Sequence, residues 1–255
     1  MAQRRTEIIL DIPVDRISLE TATEVSVNAI SGIHPQIVFA CANPHSLVVA
    51  QTDSEFKEAL TQANLVVADG VGITLTAKMI GLSIGQRITG HDYFFSLLKS
   101  MQHRGQGRVF FFGSSQQVLA LLARRFVAEF PELTLCGTYS PPFGSWSEEE
   151  DRRMTAVINE ATPDVLWVGM TAPKQEKWVA ANCGRLNARV IGSIGAVFDF
   201  YAGTYSRAPR WISKIGLEWA YRFILEPRRM WRRNFVSTPR FIWLVLKQHV
   251  LGLGR

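Results

Sequence analysis

The stretch RVFFFGSSQQVLALLARRFVAEF, residues 108–130, reads as a strand running straight into a helix. Between its first arginine and its first glycine stand four apolar residues in a row. Successive strand side chains point to opposite faces, so such a strand has no face left for water. The alternation recurs along the chain. QIVFACAN (36–43) leads into PHSLVVAQTDSEFKEALTQA, and LVVAD (65–69) into GVGITLTAKMIG. LTLCGTYS (133–140) is followed by SEEEDRRMTAVINEA, DVLWVG (164–169) by PKQEKWVAANCG, and RVIGSIG (189–195) comes last. Buried strands separated by helices predict an α/β fold, a doubly wound and mostly parallel sheet covered on both faces.

In such sheets ligands bind outside the carboxyl ends of the strands. The turns there, ANPHS, ADGVG, FGSS, VGMTAPKQE and GSIGAVFDF, are rich in Gly, Pro, Asn and hydroxyl side chains. That composition suits a nucleotide or sugar phosphate, and it equally suits helix capping. The run SWSEEED is read as capping alone, Ser147 with Glu150 forming a capping box. Asp69 ends a strand ahead of Gly70 and Gly72, glycines that let backbone N–H groups approach a ligand. It is either a general base aimed into the cleft or the cap of the next helix. In QRITGHD, Arg87 offers a planar fork for a diphosphate, and Asp92 either holds a sugar hydroxyl or caps a helix. Pro173 marks a helix start whose first turn carries Lys174, Gln175 and Glu176, groups suited to phosphate or uracil, or a polar helix face. Asp199, between two phenylalanines, is a reserve base or an anchor for a tail arginine.

Several classes are disfavoured. No GxGxxG follows a strand in register and no GxxxxGK[ST] occurs, against a dinucleotide oxidoreductase or a P-loop enzyme. Cys41, Cys136 and Cys183 are odd in number and far apart, so no disulfide framework or zinc ribbon is indicated. His91–Asp92 has the form of a metal-binding pair, but the other four histidines stand at no ligand spacing. Neither a metal nor a cofactor is expected.

The formal net charge of +6 is unevenly spread. Residues 207–255 carry eleven Lys/Arg against two Asp/Glu, a net of +9, while residues 1–206 sum to −3. The division expected is therefore a catalytic domain over 1–206 and a helical appendage over 207–255. Within GLEWAYRFILEPRRMWRRNF (216–235), Pro227 ends one helix and starts another. Arg228, Arg229, Arg232 and Arg233 then fall on one arc, opposite Met230, Trp231 and Phe235. Such a basic amphipathic helix suits an anionic membrane surface rather than nucleic acid. FIWLVL (241–246) is far short of the roughly 17 residues a spanning helix needs, and the N-terminus has no signal-peptide run. A cytoplasmic protein, peripheral on the inner face of the plasma membrane, is expected; a non-catalytic scaffold there is the alternative.

Taken together and in order, ANPHS, ADGVGI, RITGHD, VFFFGSS, GTYSPPFG, VGMTAPKQEKW, GAVFDFYAG…RAPRW and GLEWAYRFILEPRR resemble the WecG/TagA/CpsF glycosyltransferases, family 26, across nearly the whole chain. The resemblance implies a Rossmann-like fold and an inverting, metal-independent transfer. A sugar would pass from a UDP-sugar to a polyprenyl-diphosphate-linked acceptor, in synthesis of exopolysaccharide, capsule, common antigen or teichoic acid. It leaves a homo-oligomer open. It also implies Asp69 as base, Asn43 from a TxN motif whose threonine is Cys41 here, Arg87, Gly90 and Asp92 from RxxGxD, and Lys174, Gln175 and Glu176 from PKQE. Arg207, Arg222, Arg228 and Arg229 match positions in an appendage that closes over the site.

Overall fold

Both-face burial decides the architecture. In the computed structural model, which describes residues 4–205, 218–225 and 227–250, six strands form one parallel sheet. They are β3 (Ile37–Ala42), β4 (Leu65–Ala68), β5 (Arg108–Gly113), β6 (Thr134–Tyr139), β7 (Val165–Gly169) and β8 (Val190–Ser193). Their order is β4-β3-β8-β7-β5-β6, every neighbouring pair parallel. From β3 the chain winds to one edge and from β5 to the other. The carboxyl ends of β3, β4, β7 and β8 therefore border the crevice where such sheets hold ligands.

One face of the sheet is covered by α1 (Leu19–Ile30), α5 (Gly90–His103), α6 (Gln116–Glu129) and α9 (Val197–Ala202). The other is covered by α2 (Pro44–Ala50), α3 (Ser54–Gln62), α7 (Glu148–Glu160) and α8 (Lys174–Asn182). The opening quoted stretch shows the pleat at work: Phe111 packs into the first layer, while Phe110 and Phe112 pack into the second. Large rings fit because glycines face them from neighbouring strands. A methyl group on Gly192 would overlap the Trp167 indole, and one on Gly169 would overlap the Phe198 ring. Phe39 stacks on Tyr93 at 3.8 Å in the same layer. In the chain α4 (Val71–Met79) connects β4 to α5, and its Ile73 is buried in the second layer.

Two N-terminal features were not legible in the strand–helix alternation: α1, and a hairpin of β1 (Thr6–Ile9) and β2 (Ile12–Asp15). The hairpin turns at Leu10 and Asp11, both at positive φ, without the Asn-Gly signature of such turns. Its neighbours hold the turn: Leu10 N–H donates to Gln248 Oε1 at 3.0 Å, and Gln51 Nε2 donates to Leu10 O at 3.0 Å. Asp15 accepts two bonds from Arg4 and a third from the Val66 N–H at 2.7 Å, tying hairpin to sheet.

The C-terminal part is helical, as expected. α10 (Glu218–Leu225) stops before Pro227, which opens α11 (Pro227–Trp231). A π-helical turn over Arg232–Ser237 follows, then α12 (Thr238–Val250). Phe241 and Val245 of α12 are buried with Ile12, Val14 and Leu47, whereas Trp243, Leu246 and Val250 of the same helix face outward. No helix among the described residues is long and apolar enough to cross a membrane.

The two faces of α12 predict opposite responses to truncation. Phe241→Ala should cost about 3–5 kcal/mol in urea unfolding, because a fully buried ring leaves a cavity. Trp243→Ala, at an exposed ring, should stay within about 0.5 kcal/mol. Equal losses would mean that α12 does not sit on the domain in this way.

Candidate active site

The carboxyl ends of β3, β4, β7 and β8 open into a cavity of about 840 Å³. Five helices begin at its wall, and their starts differ. α2 begins with a capping box: Asn43 Oδ1 accepts from the Ser46 N–H at 3.0 Å, and Ser46 Oγ accepts from the Asn43 N–H at 2.7 Å. The donor Asn43 still offers a ligand is thus Nδ2. α5 begins the same way, with Asp92 Oδ2 accepting from Thr89 Oγ1 at 2.7 Å and from the Thr89 N–H at 3.2 Å. α4, α8 and α9 start with no side-chain cap. Gly70, not Asp69, occupies the N-cap of α4, so Asp69 is not its cap.

Asp69 is held at the end of β4 by its own N–H, which donates to Ala42 O at 2.7 Å. The two glycines after it have separate reasons. Gly70 adopts φ +110°, which side chains rarely tolerate, and a methyl on Gly72 would stand 2.8 Å from Pro44 Cγ. The ADGVG and ANPHS turns are thereby pressed together. The loop carrying Arg87 is pinned where Ile88 N–H donates to Ala68 O at 3.1 Å.

Asn43, Asp69, Gly70, Gly72, Arg87, Gly90, Gln175 and Glu176 come together in the wall. Asp92 does not line it, its carboxylate being engaged in the α5 cap. Lys174 turns the other way: its Nζ donates to Gly144 O and lies 3.6 Å from the centre of the Trp146 ring. Asp199 lies on α9 outside the lining, its backbone carbonyl accepting from Thr204. Arg207 lies outside the described residues, as do the side chains of Arg222, Arg228 and Arg229.

Several wall residues escaped the sequence reading. Arg233, placed by helical spacing on one arc with Arg228, Arg229 and Arg232, belongs to the cavity wall with Met230 and Phe235. Arg233 stands three residues after Met230, which places the two on neighbouring positions of the helix surface, and it lies in the π-helical turn. His45 also lines the wall, and its Nδ1 is 2.8 Å from Ser237 Oγ of that turn. Trp231 stacks on Phe235 at 4.7 Å, with Phe223 edge-on at 5.4 Å from Phe235.

Gln175 and Glu176, read either as groups for phosphate or uracil or as a polar helix face, are 4% and 5% exposed. Gln175 Oε1 accepts from the Gly195 N–H at 3.0 Å and the Met170 N–H at 3.2 Å, bracing the loops after β7 and β8. Its Nε2 donates to Glu176 Oε1 at 2.8 Å. Burial raises the Glu176 pKa to about 7. Burial, together with the carboxyl groups of Asp69, Glu176 and Asp92, pushes the Cys41 thiol well above its ordinary range. At neutral pH Cys41 is therefore a thiol, not a thiolate nucleophile. Among the described residues no three His, Cys, Asp or Glu side chains cluster as metal ligands.

The Glycosyl transferase WecG/TagA/CpsF family model matches residues 7–253 of this chain. The N-acetylglucosaminyldiphosphoundecaprenol N-acetyl-beta-D-mannosaminyltransferase of Bacillus spizizenii is 32% identical over 206 residues, 81% of this chain and 77% of the relative. The protein of the same name from Bacillus subtilis is 30% identical over 213 residues, 83% and 79% of the two chains. That from Staphylococcus aureus is 27% identical over 206 residues, 81% and 78%.

Glu176 should leave a mark on stability. With its pKa raised from 4.5 to about 7, the folded protein holds a proton that the unfolded chain has released between those values. This contribution is full below pH 4.5, falls as pH rises to about 7, and is flat beyond. Glu176→Gln removes it, so the variant should gain on the wild type between pH 5 and pH 8 by up to about 3 kcal/mol in denaturant unfolding. Parallel pH curves for the two proteins would contradict the assignment.

Proposed function

The chain belongs to the WecG/TagA/CpsF family of glycosyltransferases, and from that premise we propose that it transfers a sugar from a UDP-sugar to a sugar carried on a polyprenyl diphosphate. The acceptor class is suggested by the relatives, whose names specify a diphosphoundecaprenol-linked acceptor and an N-acetylmannosaminyl group. One observation carries the mechanism: Asp69 stands at the end of β4 in a large cavity whose wall also holds Arg87 and Arg233.

In this proposal the Asp69 carboxylate takes the proton from an acceptor hydroxyl. The hydroxyl oxygen forms a bond to the anomeric carbon of the donor as the bond from that carbon to the β-phosphate oxygen breaks on the opposite face. The electron pair leaves with UDP, the anomeric centre is inverted, and the proton remains on Asp69. An in-line displacement with an oxocarbenium-like transition state needs base and leaving group on opposite sides of the sugar. Charge develops on the departing diphosphate, where guanidinium groups stabilise it without a metal. Arg87 and Arg233 supply two such groups, Asn43 Nδ2 is a further donor, and the uncapped start of α4 adds backbone N–H groups.

The tail has a place in the same proposal. The acceptor is membrane-borne, and Trp231, Phe235, Trp243 and Val250 present exposed apolar surface on the C-terminal helices. With the net charge of +9 over residues 207–255, that surface suits the interface of an anionic membrane. The chain would then work from the membrane surface, its cavity turned to the lipid-linked sugar.

Transfer from a UDP-N-acetylhexosamine to a short-chain N-acetylglucosaminyl-diphosphoprenol tests this directly. The wild type should turn over in EDTA as well as without it. Asp69→Asn should lower kcat by about 10²–10⁴-fold with its unfolding midpoint unchanged. Near-normal turnover by Asp69→Asn would rule out this base, and abolition of wild-type activity by EDTA would rule out the metal-free route.

A further inference from the structure

The cavity wall holds two buried polar atoms with no partner among the described residues, Asn234 Nδ2 and Glu176 Oε2, and the proposed chemistry uses neither. Glu176 is 5% exposed, lines the cavity, and its Oε2 has no hydrogen-bond partner among the described residues. A buried carboxyl oxygen left without a partner is costly, so a group entering the cavity that bonds to it relieves that cost.

The neighbouring bonds fix what this atom can offer. Gln175 Oε1 is occupied by the Met170 and Gly195 N–H groups, which orients the amide so that Nε2 must face Glu176. Nε2 donates to Glu176 Oε1, so Oε1 is an acceptor. A proton on this carboxyl group is then carried on Oε2, the atom in the cavity wall. The surroundings select the ligand group. Cys41 has Glu176, Asp69 and Asp92 as electrostatic neighbours, an acid-rich corner that disfavours phosphate and accepts a neutral oxygen.

We infer that Glu176 meets the sugar nucleotide as a neutral hydrogen-bond donor, its Oε2–H given to an uncharged carbonyl or hydroxyl oxygen of the ligand, provided the cavity takes a sugar nucleotide as proposed above. Glu176 is then a recognition residue, distinct in role from the base. Its raised pKa of about 7 means that the donor is lost as pH passes neutrality. The other titratable or charged groups of the wall are Asp69, Cys41, His45, His91, Arg87 and Arg233. Lys174 and Lys177, on the helix of Glu176 itself, are engaged elsewhere, with Gly144 and with Asp53 and Glu55.

Glutamine at this position separates the possibilities. Its carbonyl oxygen accepts from Gln175, so its amide nitrogen is turned into the cavity as a donor that does not titrate. Binding of UDP, UDP-glucose and UDP-N-acetylmannosamine would be measured by calorimetry at pH 6 and pH 8, for the wild type, Glu176→Gln and Glu176→Met. Cooperative unfolding would establish that each variant is folded. Wild-type affinity should fall on the order of tenfold from pH 6 to pH 8, the loss expected when a group with a pKa near 7 deprotonates. Glu176→Gln should match the wild type at pH 6 and lose little by pH 8, while Glu176→Met should bind tenfold or more weakly at both. His45 and His91 persist in all three proteins, so a pH dependence arising from them would survive in Glu176→Gln. An effect seen with UDP alone would identify a uracil carbonyl as the acceptor. One confined to UDP-N-acetylmannosamine would identify the acetamido carbonyl, and one shared by both sugar nucleotides but absent with UDP would identify a sugar hydroxyl. The inference is overturned if Glu176→Gln binds as poorly as Glu176→Met at pH 6, or if wild-type affinity does not fall toward pH 8. Failure of the wild type to bind any of the three ligands would overturn the sugar-nucleotide assignment itself, and the inference with it.

Discussion

The structure depends on a sheet sealed on both faces. Strands such as Val109–Phe112 and Val165–Val168 have no exposed side chain, so polar chemistry has nowhere to sit along them. It collects where the strands end and the backbone turns toward the helices. The seal is made of large rings rather than many small residues. Trp167, Phe198 and Phe110 each lie over a glycine of a neighbouring strand, close enough that any added carbon would displace them. These glycines are thus part of the core's volume, and the strand ends are held in position by packing well behind them.

At the strand ends some polar groups build helix starts and braces, and others line the cavity. Asn43 and Asp92 complete helix starts, and Gln175 spends both atoms of its amide on the frame. Asp69, Glu176, Arg87 and Arg233 line the wall, acids and cations together. That mixture suits a reaction that must remove a proton at one point while negative charge departs at another. Capped α2 and α5 contrast with uncapped α4 and α8, whose first-turn N–H groups have no side-chain acceptor of their own.

Much of this was legible from residues alone, for physical reasons that can be named. Runs such as VFFF and VLWV announce two-sided burial, and Pro227 announces a helix boundary, because both depend on local chemistry. Asp69 stood out because it follows a buried strand and precedes two glycines. What was hidden depends on neighbours distant in sequence. Gln175 and Glu176 read as ligand groups or as a polar helix face until the loops after β7 and β8 close over them. Lys174, next in line, turns to Trp146 instead, and nothing in PKQE separates the three. Arg233 was set opposite Met230 by a 100° periodicity, yet both line the cavity, and the Leu10–Asp11 turn lacks the residues that usually advertise one. The family resemblance gathered the right motifs, but it could not say which of their side chains brace the frame and which face the cavity.

Gln175 has a mechanical consequence. By joining Met170 to Gly195 it makes the loops after β7 and β8 a single body, and the Gly72–Pro44 contact does the same for the turns after β3 and β4. The sheet side of the cavity is then a fixed jaw. Opposite it stand Met230, Arg233 and Phe235, joined to the body through the His45–Ser237 bond and the buried side of α12. Widening of the cavity for a bulky ligand would fall to that second jaw rather than to the braced strand ends. Turnover would then be paced by how readily one helical arm swings, and the rigid half would keep its register from one cycle to the next.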